Sequence, residues 1–216
     1  MRTARLGIAL LLAVVGTSAG CKQLASIAYY AGPRRIQPAE FKLGEGRLAV
    51  VIETVYPEQD NPVFNQALFD KLVEIFRENK VKGEVVPLRE LLELRQRHAD
   101  FSRWSLQRIG RELKAEQVLY LRLEELRLRE TPDHPLVSPK VSVRIKVVGV
   151  QAPSVHARLW PEETEGRTII CERQPQEASD PQVIDSEALK LARDTAYLVA
   201  QPFHDVDLEE PTPKER

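Results

Sequence analysis

The chain has 216 residues, with 31 basic and 32 acidic side chains and a formal net charge of −1. That balance excludes the strongly basic surface of a nucleic-acid-binding domain. A charged fraction of 29% with only 6% aromatic residues describes a solvated globular surface around an aliphatic core. Two cysteines, Cys21 and Cys171, are too few for a disulfide scaffold.

The N-terminus has the three parts of a secretion signal. Arg2 and Arg5 form the positive region, Leu6 to Val15 is an apolar run broken only by Gly7, and Gly16 to Gly20 are small cleavage-zone residues. The run is shorter than the roughly 20 apolar residues that a membrane span needs. Cys21 follows Ser18-Ala19-Gly20, which resembles the bacterial lipobox, although that pattern has Leu where Ser18 stands. The resemblance implies acyl chains such as palmitate on Cys21 and membrane attachment through the N-terminal lipid; an ordinary soluble signal ending beside a cysteine is the alternative. Lys22, at the place where enterobacterial inner-membrane lipoproteins have Asp, leans toward the outer membrane.

The expected organisation is a signal peptide over 1–20, a lipid-anchored tether over 21–46, a single domain over 47–208 and a disordered tail over 209–216. Without Arg2 and Arg5 the basic count falls from 31 to 29 against 32 acidic residues. The tether is punctuated by Gly32-Pro33 and Gln37-Pro38, and its Tyr29 and Tyr30 suit either a membrane interface or packing on the domain.

Leu48 to Ile52 is a continuous apolar run that suits a strand covered on both faces. Phe64, Ala67, Leu68, Leu72, Val73, Ile75 and Phe76 then recur at helical steps, with Asn61 as N-cap and Pro62 at the first position. A short strand over 83–86 precedes a helix opened by Pro87 that carries Leu88, Leu91, Leu92 and Leu94. A further helix is expected from Ser102, with Leu106, Ile109 and Leu113 on one side and Gly110 marking close packing.

Val118 to Arg129 alternates and then changes parity, predicting a bulge at Glu124-Glu125. Val141, Val143, Ile145 and Val147 form its partner, across a proline-rich connection expected to be a stiff surface loop. On the opposite face Tyr120, Arg122, Glu124, Ser142, Arg144 and Lys146 predict cross-strand charge pairs. Strands near 157–160 and 167–171 are expected to form a hairpin whose turn holds Glu162, Glu163 and Glu165. A helix over 185–201 closes the domain before Pro202.

The chain lacks the nucleophile elbow, the P-loop, the dinucleotide-binding glycine triplet and zinc-ligand spacing, so no enzyme activity, catalytic residue, cofactor or metal site is expected. His204, Asp205, Asp207 and Glu209 carry ligand chemistry but read as a solvated helix exit. His98, His134 and His156 read as surface or edge residues. Cys171 reads as a buried hydrophobe, with intermolecular pairing or a bond to a non-lipidated Cys21 as alternatives. One surface stands out for partner or anionic-surface contact: Arg95, Arg97, Arg103, Arg108, Arg111 and Lys114 with Trp104. Trp104 reads as exposed there, or else as packed under its turn on an ordinary solvated helix.

The order strand, helix, strand, helices, antiparallel strands and helix predicts an α+β fold: a mixed, mainly antiparallel sheet with helices packed on it, in two or three layers. With Arg47 to Ile52 as first strand and Ile109 to Tyr120 as helix into strand, it resembles the group that contains the TolB N-terminal domain, CsgG and LpoB. Lys114-Ala115-Glu116-Gln117 stands where those families have a Gly-Ala-Asp-like turn, and the paired long strands of a CsgG barrel are missing. The expected role is that of a non-catalytic envelope lipoprotein that binds or assembles another envelope protein. The alternatives are an accessory subunit of an export or secretion machine, or an enzyme whose site is scattered along the chain.

Overall fold

A computed structural model describes residues 35–131, 134–177 and 180–209. Its main unit runs from Gln37 to Val206; the described residues of a second, small unit are Arg35, Ile36 and 207–209, where the Leu208 N–H donates to the Arg35 carbonyl at 2.9 Å.

The main unit is α+β, as expected. Its six-stranded sheet contains β1 (Arg47–Thr54), β2 (Glu84–Val85), β3 (Gln117–Arg127), β4 (Lys140–Gly149), β5 (Arg158–Trp160) and β6 (Arg167–Glu172). The spatial order is β2-β1-β3-β4, and the outer edge of β4 is shared by β5 and β6. β1 is parallel to β2 and β3, whereas the pairings of β4 with β3, β5 and β6 are antiparallel. β5 and β6 therefore lie in succession along one neighbour and do not pair as the hairpin expected, because Val147 takes Trp160 while Ile145 takes Arg167. The register slips between Leu123 and Glu125, which resets the parity of β3 at the expected bulge.

One sheet face carries α1 (Pro62–Glu78) and α4 (Pro181–Ala200). Asn61 Oδ1 accepts the Phe64 N–H at 3.0 Å to open α1. Phe64, Leu68, Leu72 and Leu191 are fully buried against Leu119, Leu121, Val143 and Ile145. Phe41 and Leu43 join the same core. Ala188, Ala192 and Ala196 form a small-residue ridge that lets α4 approach closely. α4 begins four residues before the expected Asp185 because Asp180 accepts the Gln182 N–H and Pro181 starts the helix. On α4 the fully buried Glu187 meets Arg173 Nε at 3.0 Å and Lys190 Nζ at 2.7 Å, and Arg173 also binds Asp194.

The other face carries α2 (Leu88–Arg97) and α3 (Leu106–Glu112) over only part of the sheet. Leu91, Leu94, Ile109 and Leu113 pack there on Ala49, Val51, Val118 and Val148. α3 starts later than expected, since a 3-10 turn at Phe101–Arg103 intervenes and Ser105 Oγ accepts the Arg108 N–H at 3.2 Å. A Cβ on Gly110 would sit 2.4 Å from Val150 Cγ2, so the glycine marks the close packing its position implied. Arg47 ties the layers together, donating to the Leu113 carbonyl at 2.8 Å and pairing with Glu90 at 3.1 Å.

Two expectations about exposure are corrected. The connection after β3 is not all surface: Leu136–Val137 pairs with Gln176–Glu177, and Val137 is fully buried. His204 is 7% exposed, its Nδ1 lying 2.9 Å from the Asp205 carbonyl, so the helix exit folds inward.

Candidate functional site

β1 is paired with β3 over seven residues but with β2 over only two, Arg47 and Leu48. Beyond them the C-terminal end of β1 opens into a cleft of about 450 Å³ lined by Ile52, Glu53, Thr54, Asp60, Arg95, His98, Phe101 and Trp104. Its volume is that of an ordinary ligand pocket. Its place, outside the carboxyl end of a parallel strand, is the usual one for ligands in open sheets.

Its wall is made by the end of α2 and the turn after it. Leu94 anchors the helix on the sheet, and the next residue, Arg95, reaches the strand edge, where Nη2 lies 3.4 Å from the Ile52 carbonyl. The Arg95 guanidinium also sits 5.3 Å from the Phe101 ring centre. His98 leaves the helix in an extended conformation and lies tilted against Trp104, with ring centres 4.6 Å apart.

Of the two readings of Trp104, exposed or packed under its turn, the packed one holds: the residue is 8% exposed. Its Nε1 donates to Asp100 Oδ2 at 2.8 Å, Phe101 lies 5.7 Å away, and Arg108 stacks 3.7 Å from its ring centre. The Trp104 hydrogen bond holds the Asp100 carboxyl below its ordinary range; burial opposes this, and Arg108 and His98 add to the lowering.

Of the residues singled out from the sequence, Arg95 and Trp104 line the cleft. Arg97, Arg103, Arg108, Arg111 and Lys114 are exposed around it and along α3. Arg97 Nε donates to the Glu93 carbonyl at 3.2 Å, and Arg108 lies 3.8 Å from Asp100. Cys21 and the apolar run before it, with Tyr29 and Tyr30, lie outside the described residues. Cys171 is fully buried in the first core.

Glu53, Thr54, Asp60, His98 and Phe101 were not legible as site residues. They come together only because β2 stops short of them. Tyr120 donates to Glu53, while Thr54 Oγ1 at 3.1 Å and Asn65 Nδ2 at 2.9 Å donate to Asp60. Among the described residues no group of three or more His, Cys, Asp or Glu is placed to hold a metal. No helix among them is long and apolar enough to cross a membrane.

No family model matches the chain, and no curated protein matches it. Among solved structures it is similar to the PelC dodecamer from Paraburkholderia phytofirmans at 14% identity, covering 79% of this chain and 95% of that one, with a TM-score of 0.39. It is also similar to lipoprotein GNA1162 from Neisseria meningitidis at 12% identity, covering 71% and 99%, with a TM-score of 0.45. The LpoB C-terminal domain from Salmonella enterica matches at 18% identity, covering 62% and 85%, with a TM-score of 0.33. LpoB is thus among the similar structures, whereas the resemblance to TolB and CsgG is not shown by these matches.

Proposed function

We propose that the chain is an exported envelope lipoprotein whose α+β domain docks, without catalysis, to another envelope component. The observation that carries this reading is the run from Arg2 to Cys21, with its charged start, short apolar stretch and small residues before a cysteine. Two acyl chains on Cys21 would anchor the domain stably, because each buried CH₂ contributes about 0.8 kcal/mol. Lys22 favours the outer membrane as the destination.

The docking surface in this reading is the side of α2 and α3. Arg97, Arg103, Arg111 and Lys114 are exposed there without an ion-pair partner among the described residues. Unpaired cations of one sign suit electrostatic steering toward an acidic surface.

Metabolic labelling with a fatty-acid analogue tests the anchor: the wild-type protein takes the label and Cys21→Ala does not. Label that persists without Cys21 overturns the lipid assignment. A photocrosslinker placed at Arg97 or Arg111 in living cells tests docking, which fails if no envelope protein is captured.

A further inference from the structure

We propose that the cleft at the end of β1 receives an extended acidic segment of a partner protein as an added strand, bonded to the main chain of Ile52 and Thr54 and held by Arg95. This deepens the docking reading above and rests on it.

The direction of the main-chain groups carries the inference. In a parallel strand, alternate residues address the same neighbour with both N–H and C=O. The Leu48 carbonyl accepts the Val86 N–H at 2.9 Å, while the Arg47 carbonyl faces the other way and accepts from Glu116 at 2.8 Å. Ile52 and Thr54 therefore point to the β2 side, and β2 ends before reaching them. The Ile52 carbonyl has only the 3.4 Å approach of Arg95, too long for a good hydrogen bond. The Arg95 side chain lies over this edge, Pro57 follows only after the strand has ended, and the pairing of β1 carries no bulge.

Charge and shape select the occupant. The stretch 95–114 holds six basic residues against Asp100 and Glu112. Arg95 has no carboxylate partner among the described residues, and Asp100 is engaged by Trp104 and Arg108. The carboxylates inside the cleft bond neutral donors, Glu53 from Tyr120 and Asp60 from Thr54 and Asn65, so its attraction for acidic groups comes from Arg95 and from the exposed Arg97 and Arg103 on the same wall. Side chains of an added strand alternate between two sides; one set would rest on Phe101 and Trp104, and an acidic one would meet Arg95. A lipid headgroup would satisfy the exposed cations but has no use for the main chain of Ile52 and Thr54. Strand addition uses both.

The test uses the full-length protein in detergent and three probes: a fluorescent valine–glutamate peptide of about eight residues, a strand's length, its valine–lysine counterpart, and glycerol phosphate as a soluble anionic headgroup. The acidic peptide is expected to bind, the basic one at least about tenfold more weakly, a difference of about 1.4 kcal/mol. Hydrogen exchange at the Ile52 and Thr54 amides should slow on binding. Arg95→Glu should weaken the acidic peptide by about tenfold or more, and N-methylation of its alternate amides should abolish binding. Equal binding by the N-methylated peptide, or unchanged exchange at Ile52 and Thr54, overturns strand addition. So does glycerol phosphate binding without peptide binding. If these fail while the crosslinker at Arg97 still captures an envelope protein, docking stands and only its mode is wrong.

Discussion

The two faces of the sheet are built differently. The face under α1 and α4 is covered along its length by aliphatic and aromatic side chains, many of them with no exposure at all. The face under α2 and α3 is covered over part of its area, and its outer rings stack with cations: Arg108 on Trp104 and Arg95 on Phe101. Beyond α3 the second face is polar, with Arg144 bridging Glu124 at 2.9 Å and Glu165 at 3.0 Å. Burial of apolar area stabilises in proportion to its extent, so the first face carries the fold. The second can hold a cleft and engaged polar groups at modest cost.

The largest effect should come from breaking the first face. Phe64→Ala removes a fully buried ring and should cost about 3–5 kcal/mol, read from the denaturant midpoint of the purified protein. Arg173→Ala should cost about 3 kcal/mol, because it deprives the buried Glu187 of a charge partner.

That substitution also has a pH signature. Burial pushes the Glu187 carboxyl up, but the hydrogen bonds and charges of Lys190 and Arg173 outweigh it and leave the group below its ordinary range. A carboxylate lowered on folding contributes stability that is complete above its unfolded value, about 4.3, and is lost as pH falls through the lower folded value. Without Arg173 the acid-unfolding midpoint should move to higher pH. An unchanged midpoint would mean that this network does not stabilise the first face.

A change on the second face should be smaller and local. Gly110→Ala forces a methyl against Val150 and Val118 and should cost about 1–3 kcal/mol. Hydrogen exchange should accelerate in α3 and leave α1 unaffected; acceleration in both would mean that the faces are one cooperative unit.

The smallest effect is a gain. Just past the end of α3, Lys114 stands at φ 53°, its N–H donating to the Arg111 carbonyl at 3.0 Å and the Ala115 N–H to the Gly110 carbonyl at 2.8 Å. This is the arrangement that favours glycine at the left-handed position. Lys114→Gly relieves the cost of a side chain in the left-handed region and should raise stability by up to about 1 kcal/mol, seen as a higher thermal midpoint.

Periodicity made the first face readable. The three- and four-residue steps of Phe64 to Phe76, and the alternation of Val141 to Val147, report burial on one side of a single element. The bulge beside Glu124 and the tight place at Gly110 were readable for the same reason, as breaks in a local pattern. The candidate site was readable only in part. Arg95 stood out by charge, but for Trp104 an exposed and a packed reading were both open, since exposed basic neighbours accompany a ring that Arg108 covers. Nothing local to Glu53, Asp60 or His98 marks them, since they meet through the early end of β2.

Element type and order and the coverage of β1 on both faces follow from properties that neighbouring residues share along the chain. Tertiary structure alone decided that β5 and β6 share one edge of β4, that Val137 and His204 turn inward, and that β1 outruns β2. Each of these depends on which distant segment arrives alongside. A sequence pattern records how much of a residue is to be buried, whereas the identity of the burying neighbour is settled only when the whole sheet has assembled.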